Sequence, residues 1–148
     1  MALNRRYSAY ILVGTAMRSA IALGLHLDVS ESEIHNISVR EHRKRVFWTA
    51  YIYDRMWGAQ LNLPAAIQSS EVAVGLPSGS VSTDTIFVSE SSNLDSPLLN
   101  ASINLVSRLT SIIGSVYSNR RNCQGAHLST RVQRALKSLQ TWVDLLPT

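Results

Sequence analysis

Apolar residues recur along this chain at helical intervals, and polar stretches break the recurrence into four segments. Over residues 7–25, Ile11, Leu12, Ala16, Met17, Ala20, Leu23 and Leu25 approximate the three-and-four spacing of one helical stripe. Alanines at 9, 16, 20 and 22 favour helix and permit a neighbour to approach closely. Gly14 is a weak point of about 1 kcal/mol relative to alanine unless a second backbone packs there. Gly24 is placed to end the helix in a left-handed conformation. Residues 28–37 form a polar connection. Ser38-Val39-Arg40-Glu41 then matches a capping box, which predicts a long helix over 39–61. Val46, Ala50, Tyr53 and Trp57 make its apolar stripe, widened by Phe47, Tyr51 and Met56, and Asn62 with Pro64 closes it.

Residues 65–77 read as extended or irregular, with one β-like stretch, Val72-Ala73-Val74. Residues 78–97 are rich in Ser, Asp and Glu and carry no positive charge, the composition of a flexible loop. Pro97 suits the first position of a third helix, 98–119. Its stripe is Leu98, Leu99, Ile103, Val106, Leu109, Ile113 and Val116. Ser129 or Thr130 caps a fourth helix over 129–146, in which Val132, Leu136, Leu139, Val143 and Leu146 keep the period, and Pro147 stops it. The fold class predicted is all-α. It is a bundle of about four main helices in two antiparallel pairs, 7–25 with 39–61 and 98–119 with 129–146. An acidic Ser-rich loop joins the pairs.

Composition changes this picture in three places. At 148 residues the chain is enough for one domain with a core of its own. Charged residues are 16% of the chain, below the usual ~25%, which points to surface meant to be covered. The net charge of +4 is divided unevenly: +3 over 1–64, −4 over 65–107 and +5 over 108–148. The densest basic cluster, Arg40, Arg43, Lys44 and Arg45, crowds the first turns of the second helix, the unfavourable end for cations in a helix dipole. It reads either as a solvated or partner-facing helix face or as a phosphate-facing patch. No apolar run reaches the ~18–20 residues a bilayer needs, so no membrane partner is expected.

The single cysteine, Cys123, excludes an internal disulfide framework and a cysteine-based zinc site within one chain. His26, His35, His42 and His127 lack a metal-binding spacing, and no phosphate loop or nucleophile elbow occurs. No catalytic, cofactor-binding or metal-ligating residue is therefore assigned. Two charges stand among apolar neighbours: Arg18 beside Met17 and Ala20, and Asp54, followed by Arg55, between Tyr53 and Trp57. Such charges are usually paired or at a solvated edge. The reading offered is that Asp54 pairs with Arg18 or Arg55 across the first two helices, with Glu41 a further ion-pair candidate through its cap. Trp48, Tyr51 and Trp57 are candidates for a pocket, although core packing accounts for most of the aromatics.

These residues also carry a family resemblance. Gly14-Thr-Ala-Met-Arg-Ser-Ala-Ile-Ala-Leu-Gly-Leu-His26 is followed by Arg40-Glu-His-Arg-Lys-Arg-Val-Phe-Trp48, Thr49-Ala-Tyr-Ile-Tyr-Asp-Arg55, Leu63-Pro-Ala-Ala-Ile67 and Gly75-Leu-Pro77. The order and gaps closely resemble the fungal-specific transcription factor regulatory domain. This is also called the middle homology region, of xylanolytic-activator type, found in zinc binuclear cluster (Zn2Cys6) transcription factors. The likeness covers roughly residues 5–78. It divides the chain into a conserved-type part, 1–78, a flexible acidic loop, 79–97, and a C-terminal helical pair, 98–148.

The resemblance implies an all-α, non-catalytic regulatory region of a nuclear, DNA-binding transcription factor, often dimeric when intact. Arg18, Asp54 and Arg55 then resemble scaffold residues. The family's six-cysteine cluster is missing here, so zinc and specific DNA belong to the intact family members, and this chain reads as a partial one that binds neither alone. A protein partner, a homodimer or a small-molecule effector is implied instead. Two alternatives stand beside it: a small-molecule sensor with a pocket near Trp48 and Trp57, and a direct nucleic-acid binder using Arg40, Arg43, Lys44 and Arg45.

Overall fold

In the computed structural model the described residues are 2–78, 92–117 and 125–144. They contain four α-helices: α1, Ala2–Ala22; α2, Ile37–Leu61; α3, Ser92–Tyr117; and α4, Gly125–Asp144. A short 3-10 turn, Ser69–Glu71, lies between α2 and α3. The fold is all-α, and no strand occurs among the described residues. The chain divides into two units, Met1–Val106 and Ser107–Thr148.

Helix ends follow local chemistry. After α1 the chain turns at Gly24, φ 66°, with Gly24 N–H donating to the Ile21 carbonyl and Leu25 N–H to the Ala20 carbonyl. This is the expected left-handed closure. α2 starts earlier than the sequence reading placed it. Its cap is Asn36, whose Oδ1 accepts from Ser38 N at 2.9 Å and Val39 N at 3.3 Å. Ser38 is inside the helix, and Glu41, now in the second turn, is out of reach of the cap, so the capping box does not form. α2 closes on Asn62 in the left-handed region, φ 54°, with Leu63 N–H on the Gly58 carbonyl. α3 contains Pro97 instead of beginning at it. Ser92–Pro97, read from the sequence as loop, is thus helical, while 79–91 lies outside the described residues.

α1 packs on α2. Tyr10 OH donates to the Pro64 carbonyl beyond the C-terminus of α2, and Leu25 beyond α1 lines a small cavity with Arg40, Arg43 and Lys44 of the first half of α2. The pair is therefore antiparallel. Its core is Met17, Ala20 and Leu25 from the α1 side, Phe47, Trp48 and Tyr51 from α2, Ile67 and Val74 from the following segment, and Ile103 from α3.

The stripes differ from those read in the sequence. Ile11 and Leu12 of α1 and Leu23 just beyond it are exposed, and Val46 and Tyr53 are exposed on α2. The buried face of α2 runs Glu41, Phe47, Trp48, Tyr51, Asp54, Arg55 and Gly58. Three of those positions are charged, which hides the true stripe from a hydropathy count. Gly14 is buried, and a Cβ there would stand 3.3 Å from Nη1 of Arg18, so the neighbour over Gly14 is a guanidinium.

Candidate functional site

The chain after α2 does not leave the helix. Residues 63–78 return along it as a strap, and side chains of α2 bond the strap at intervals. Asp54 Oδ2 accepts from Ala66 N at 2.9 Å. Arg55 Nη2 donates to the Ile67 carbonyl at 2.5 Å and to Ser69 Oγ at 3.3 Å. The Tyr51 and Ser69 hydroxyls share a hydrogen bond of 3.0 Å. Trp48 Nε1 donates to the Gly75 carbonyl at 3.0 Å. Glu41 Oε2 accepts from Ser78 N at 2.8 Å. Positions 55, 51, 48 and 41 thus meet 67–69, 75 and 78 in reverse order, so the strap runs antiparallel to α2.

Outside its 3-10 turn at Ser69–Glu71 the strap has no regular structure to pair its peptide groups, and burying them unpaired is costly. The polar side chains of α2 supply the missing partners. The Val72–Val74 stretch forms no strand: Ala73 N and Val74 N both donate to the His26 carbonyl, at 3.0 and 2.9 Å. Ile67, Val74 and Pro77 are buried beneath these bonds. Asn100 of α3 donates to the Pro77 carbonyl at 3.1 Å, which ties the strap to the third helix as well.

The sequence-predicted residues are distributed as follows. Asp54 and Arg55 are buried and hydrogen-bonded, but neither forms a contact ion pair among the described residues. Asp54 is committed to Ala66 N–H. Arg55 is committed to the strap, and its guanidinium lies 4.8 Å above the Tyr51 ring. Arg18 is exposed and acts on Asp54 only at longer range. Burial pushes the Asp54 carboxyl above its usual range, and the Ala66 N–H and the Arg55 and Arg18 charges partly offset that push. Glu41 does form an ion pair, with Lys44 at 3.2 Å. Its burial works to raise its pKa, but the bonds from Ser78 and Lys44 outweigh that and hold it below the usual value.

Trp48 and Tyr51 are core residues stacked edge-to-face at 5.1 Å, while Trp57 is half-buried. The concavity lies elsewhere. A cleft of about 460 Å³ opens between the 28–31 connection and α2, lined by Asp28, Val29, Ser30, Glu31, Ile37, Arg40, Glu41, Lys44 and Ser78. Arg40 and Lys44 of the basic cluster face it already paired, Arg40 with Glu31 at 3.0 Å and Lys44 with Glu41. Arg43 lines the neighbouring small cavity and Arg45 is half-buried, so the cluster is not a row of free cations on a solvated face. Sequence reasoning missed the strap. Its signal was present in the buried-type charges of α2 facing a segment with few side chains of its own to satisfy its backbone.

The scaffold is all-α, and the buried charges of α2 are bonded to its own backbone. Comparison with known proteins sharpens this: the chain belongs to the fungal specific transcription factor domain family, whose model matches residues 1–144. It is a regulatory domain of a fungal transcription factor. It is 29% identical over 149 aligned positions, 97% of the chain, to Activator of stress genes 1 of Saccharomyces cerevisiae. It is 36% identical over 72 residues, 47% of the chain, to the negative regulator of pleiotropic drug resistance STB5 of Candida glabrata. It is 35% identical over 78 residues, 51% of the chain, to an uncharacterised transcriptional regulatory protein of Schizosaccharomyces pombe. The chain spans 15%, 7% and 10% of those proteins respectively. No solved structure matches it. The zinc binuclear cluster implied by the resemblance does not fit this donor set, because Cys123 is the only cysteine.

Proposed function

We propose that this chain is the non-catalytic control module of a nuclear transcription regulator, acting through contacts with other segments, partner proteins or an effector. DNA and zinc are engaged by a binuclear cluster outside these residues. The observation that carries the reading is the use of Glu41, Asp54 and Arg55: each buried charge of α2 is bonded to the strap backbone, so these groups hold a shape. Joining residues 1–148 to an unrelated DNA-binding domain above a reporter gene tests it. The fusion is expected to change reporter output relative to the DNA-binding domain alone, and Asp54→Ala is expected to remove the change. Reporter output equal to that of the bare DNA-binding domain would contradict the reading.

One observation favours a second reading, an effector site in the cleft beside Arg40. The Arg40–Glu31 pair is held by an acid whose side chain is 86% exposed. Such a pair is worth about 0–1 kcal/mol, so an anionic ligand can displace Glu31 from the guanidinium. Carboxylate metabolites that raise the melting temperature of the chain, and no longer do so with Arg40→Ala, support this site. Equal shifts for both proteins reject it.

A further inference from the structure

Among the described residues Arg55 is the one buried cation, 7% exposed. Its Nη2 donates to the Ile67 carbonyl and to Ser69 Oγ, and no carboxylate makes a contact pair with it among the described residues. Its Nε is buried as well and has no hydrogen-bond partner there. A buried guanidinium without a contact anion, and with an N–H unanswered, is short of acceptors. Nε–H and Nη2–H lie on one edge of the guanidinium plane, an edge that fits two oxygens of one phosphate. The side chain standing on that edge is Ser69, whose hydroxyl also shares a hydrogen bond with Tyr51. We propose that Ser69 is a phosphorylation site whose phosphoryl group is received by Arg55.

The surroundings single out this serine. Ser69 and its neighbours Gln68, Ser70 and Glu71 are all exposed, so a protein kinase reaches the hydroxyl from solvent. The enzyme transfers the terminal phosphoryl group of a nucleoside triphosphate. An O–P bond forms at Ser69 Oγ as the bond to the departing diphosphate breaks, and the hydroxyl proton passes to the kinase's base. The product carries a charge of about −1.5 to −2 and three strong acceptor oxygens. At Ser69 these meet the Arg55 guanidinium and the Tyr51 hydroxyl. The hydroxyl of Ser30 bonds Glu33 and that of Ser78 bonds Glu41, so a phosphate on either would meet a carboxylate instead. The two acids nearest Ser69 and Arg55 along the chain are engaged elsewhere, Glu71 with Gln68 N–H at 2.9 Å and Asp54 with Ala66 N–H.

The consequence is a tighter strap. Phosphorylation gives Arg55 its missing contact anion at the point where α2 holds residues 67–69. This inference stands apart from the transcriptional reading, because it rests on Arg55 and Ser69 alone.

The test has two arms. In the first, the full chain is incubated with a nucleoside triphosphate and an extract of fungal cells, and phosphate is expected on Ser69 by mass spectrometry. In the second, phosphoserine is incorporated into the full chain at position 69 and, separately, at position 70. By phosphorus NMR the second ionisation of the phosphate at 69 is expected about one unit below that at 70, as an adjacent guanidinium dictates. The chain phosphorylated at 69 is expected to melt above the unmodified chain at neutral pH, and Arg55→Lys, which keeps the charge and loses the fork, is expected to shrink that gain. The comparison of the two positions needs no Arg55 variant, so it decides the matter where Arg55→Lys does not fold. A Ser69 that takes up no phosphate from the extract, or a phosphate at 69 that titrates as the one at 70 does, overturns the proposal.

Discussion

Asp54 in the C-terminal half of α2 accepts a hydrogen bond from the backbone N–H of Ala66, twelve residues further on, at 2.9 Å. That bond fixes the point at which the strap leaves the turn after α2 and begins to run back along the helix. Asp54 is buried, and truncating it leaves Ala66 N–H without its acceptor and Arg55 without a nearby counter-charge. Asp54→Ala is expected to destabilise the chain by about 1–3 kcal/mol, while Asp54→Asn, which keeps an acceptor in place, costs less. Urea unfolding of the two variants checks the order, and a loss for Asp54→Ala smaller than that for Asp54→Asn contradicts it.

Glu41 and Asp54 give the fold opposite responses to acid. The folded pKa of Glu41 is held below its usual 4.5, with burial outweighed by Ser78 and Lys44, so its contribution is present above 4.5 and is lost as pH falls through the folded value. The folded pKa of Asp54 is raised above its usual 3.8 by burial, so its ionisation works against folding as pH rises from 3.8 through the folded value. Glu41→Gln is therefore expected to flatten the loss of stability below pH 4.5. Asp54→Asn is expected to make the loss on acidification steeper relative to wild type. Melting temperatures measured across pH 3–6 in steps of about half a unit read both signs.

Gly58 meets the turn that starts the strap. A Cβ at this position would lie 3.0 Å from the Leu63 carbonyl oxygen, a backbone atom that cannot swing aside. Alanine is the better helix former by about 1 kcal/mol in an open helix. Gly58→Ala is nevertheless expected to lower the melting temperature, whereas Gly114→Ala on α3, with open space around it, is not. A higher melting temperature for Gly58→Ala would show that the turn after α2 yields readily.

The basic cluster bears on nucleic acid. With Arg40 and Lys44 already paired to Glu31 and Glu41, few of its charges can neutralise phosphates without first breaking an ion pair. Four phosphate contacts would give a slope of about −3.6 in log affinity against log salt. The chain alone is expected to show weak duplex DNA binding with a much shallower slope, measured by fluorescence anisotropy across salt. A slope near the four-contact value would restore the cluster as a nucleic-acid surface.

Much of the helical order could be read from the chain, because three-and-four spacing, Gly24 and Asn62 are local signals. The family resemblance implied scaffold roles for Arg18, Asp54 and Arg55; Asp54 and Arg55 are buried and bonded to the strap, whereas Arg18 is exposed. What the sequence hid was which face of α2 is inside. Hydropathy favours Val46 and Tyr53, but the buried line passes through Asp54 and Arg55, and those charges tolerate burial only because the strap bonds them. That dependence is long-range: Asp54 with Ala66, Trp48 with Gly75, and Glu41 with Ser78 are separated by 12, 27 and 37 positions. Local spacing also favoured Ser38 as a cap over the amides of Arg40 and Glu41, when Asn36, two residues earlier, caps the helix by accepting from Ser38 N and Val39 N.

Amide hydrogen exchange over the strap tests the central claim most directly. If α2 side chains hold residues 63–78 in place, the amides of Ala66 and Ser78 exchange far more slowly than in an unstructured peptide. Asp54→Asn and Glu41→Gln then accelerate Ala66 and Ser78 respectively, each at its own site. Exchange of both amides at the unstructured rate in the wild-type chain, or rates indifferent to both substitutions, contradicts the account.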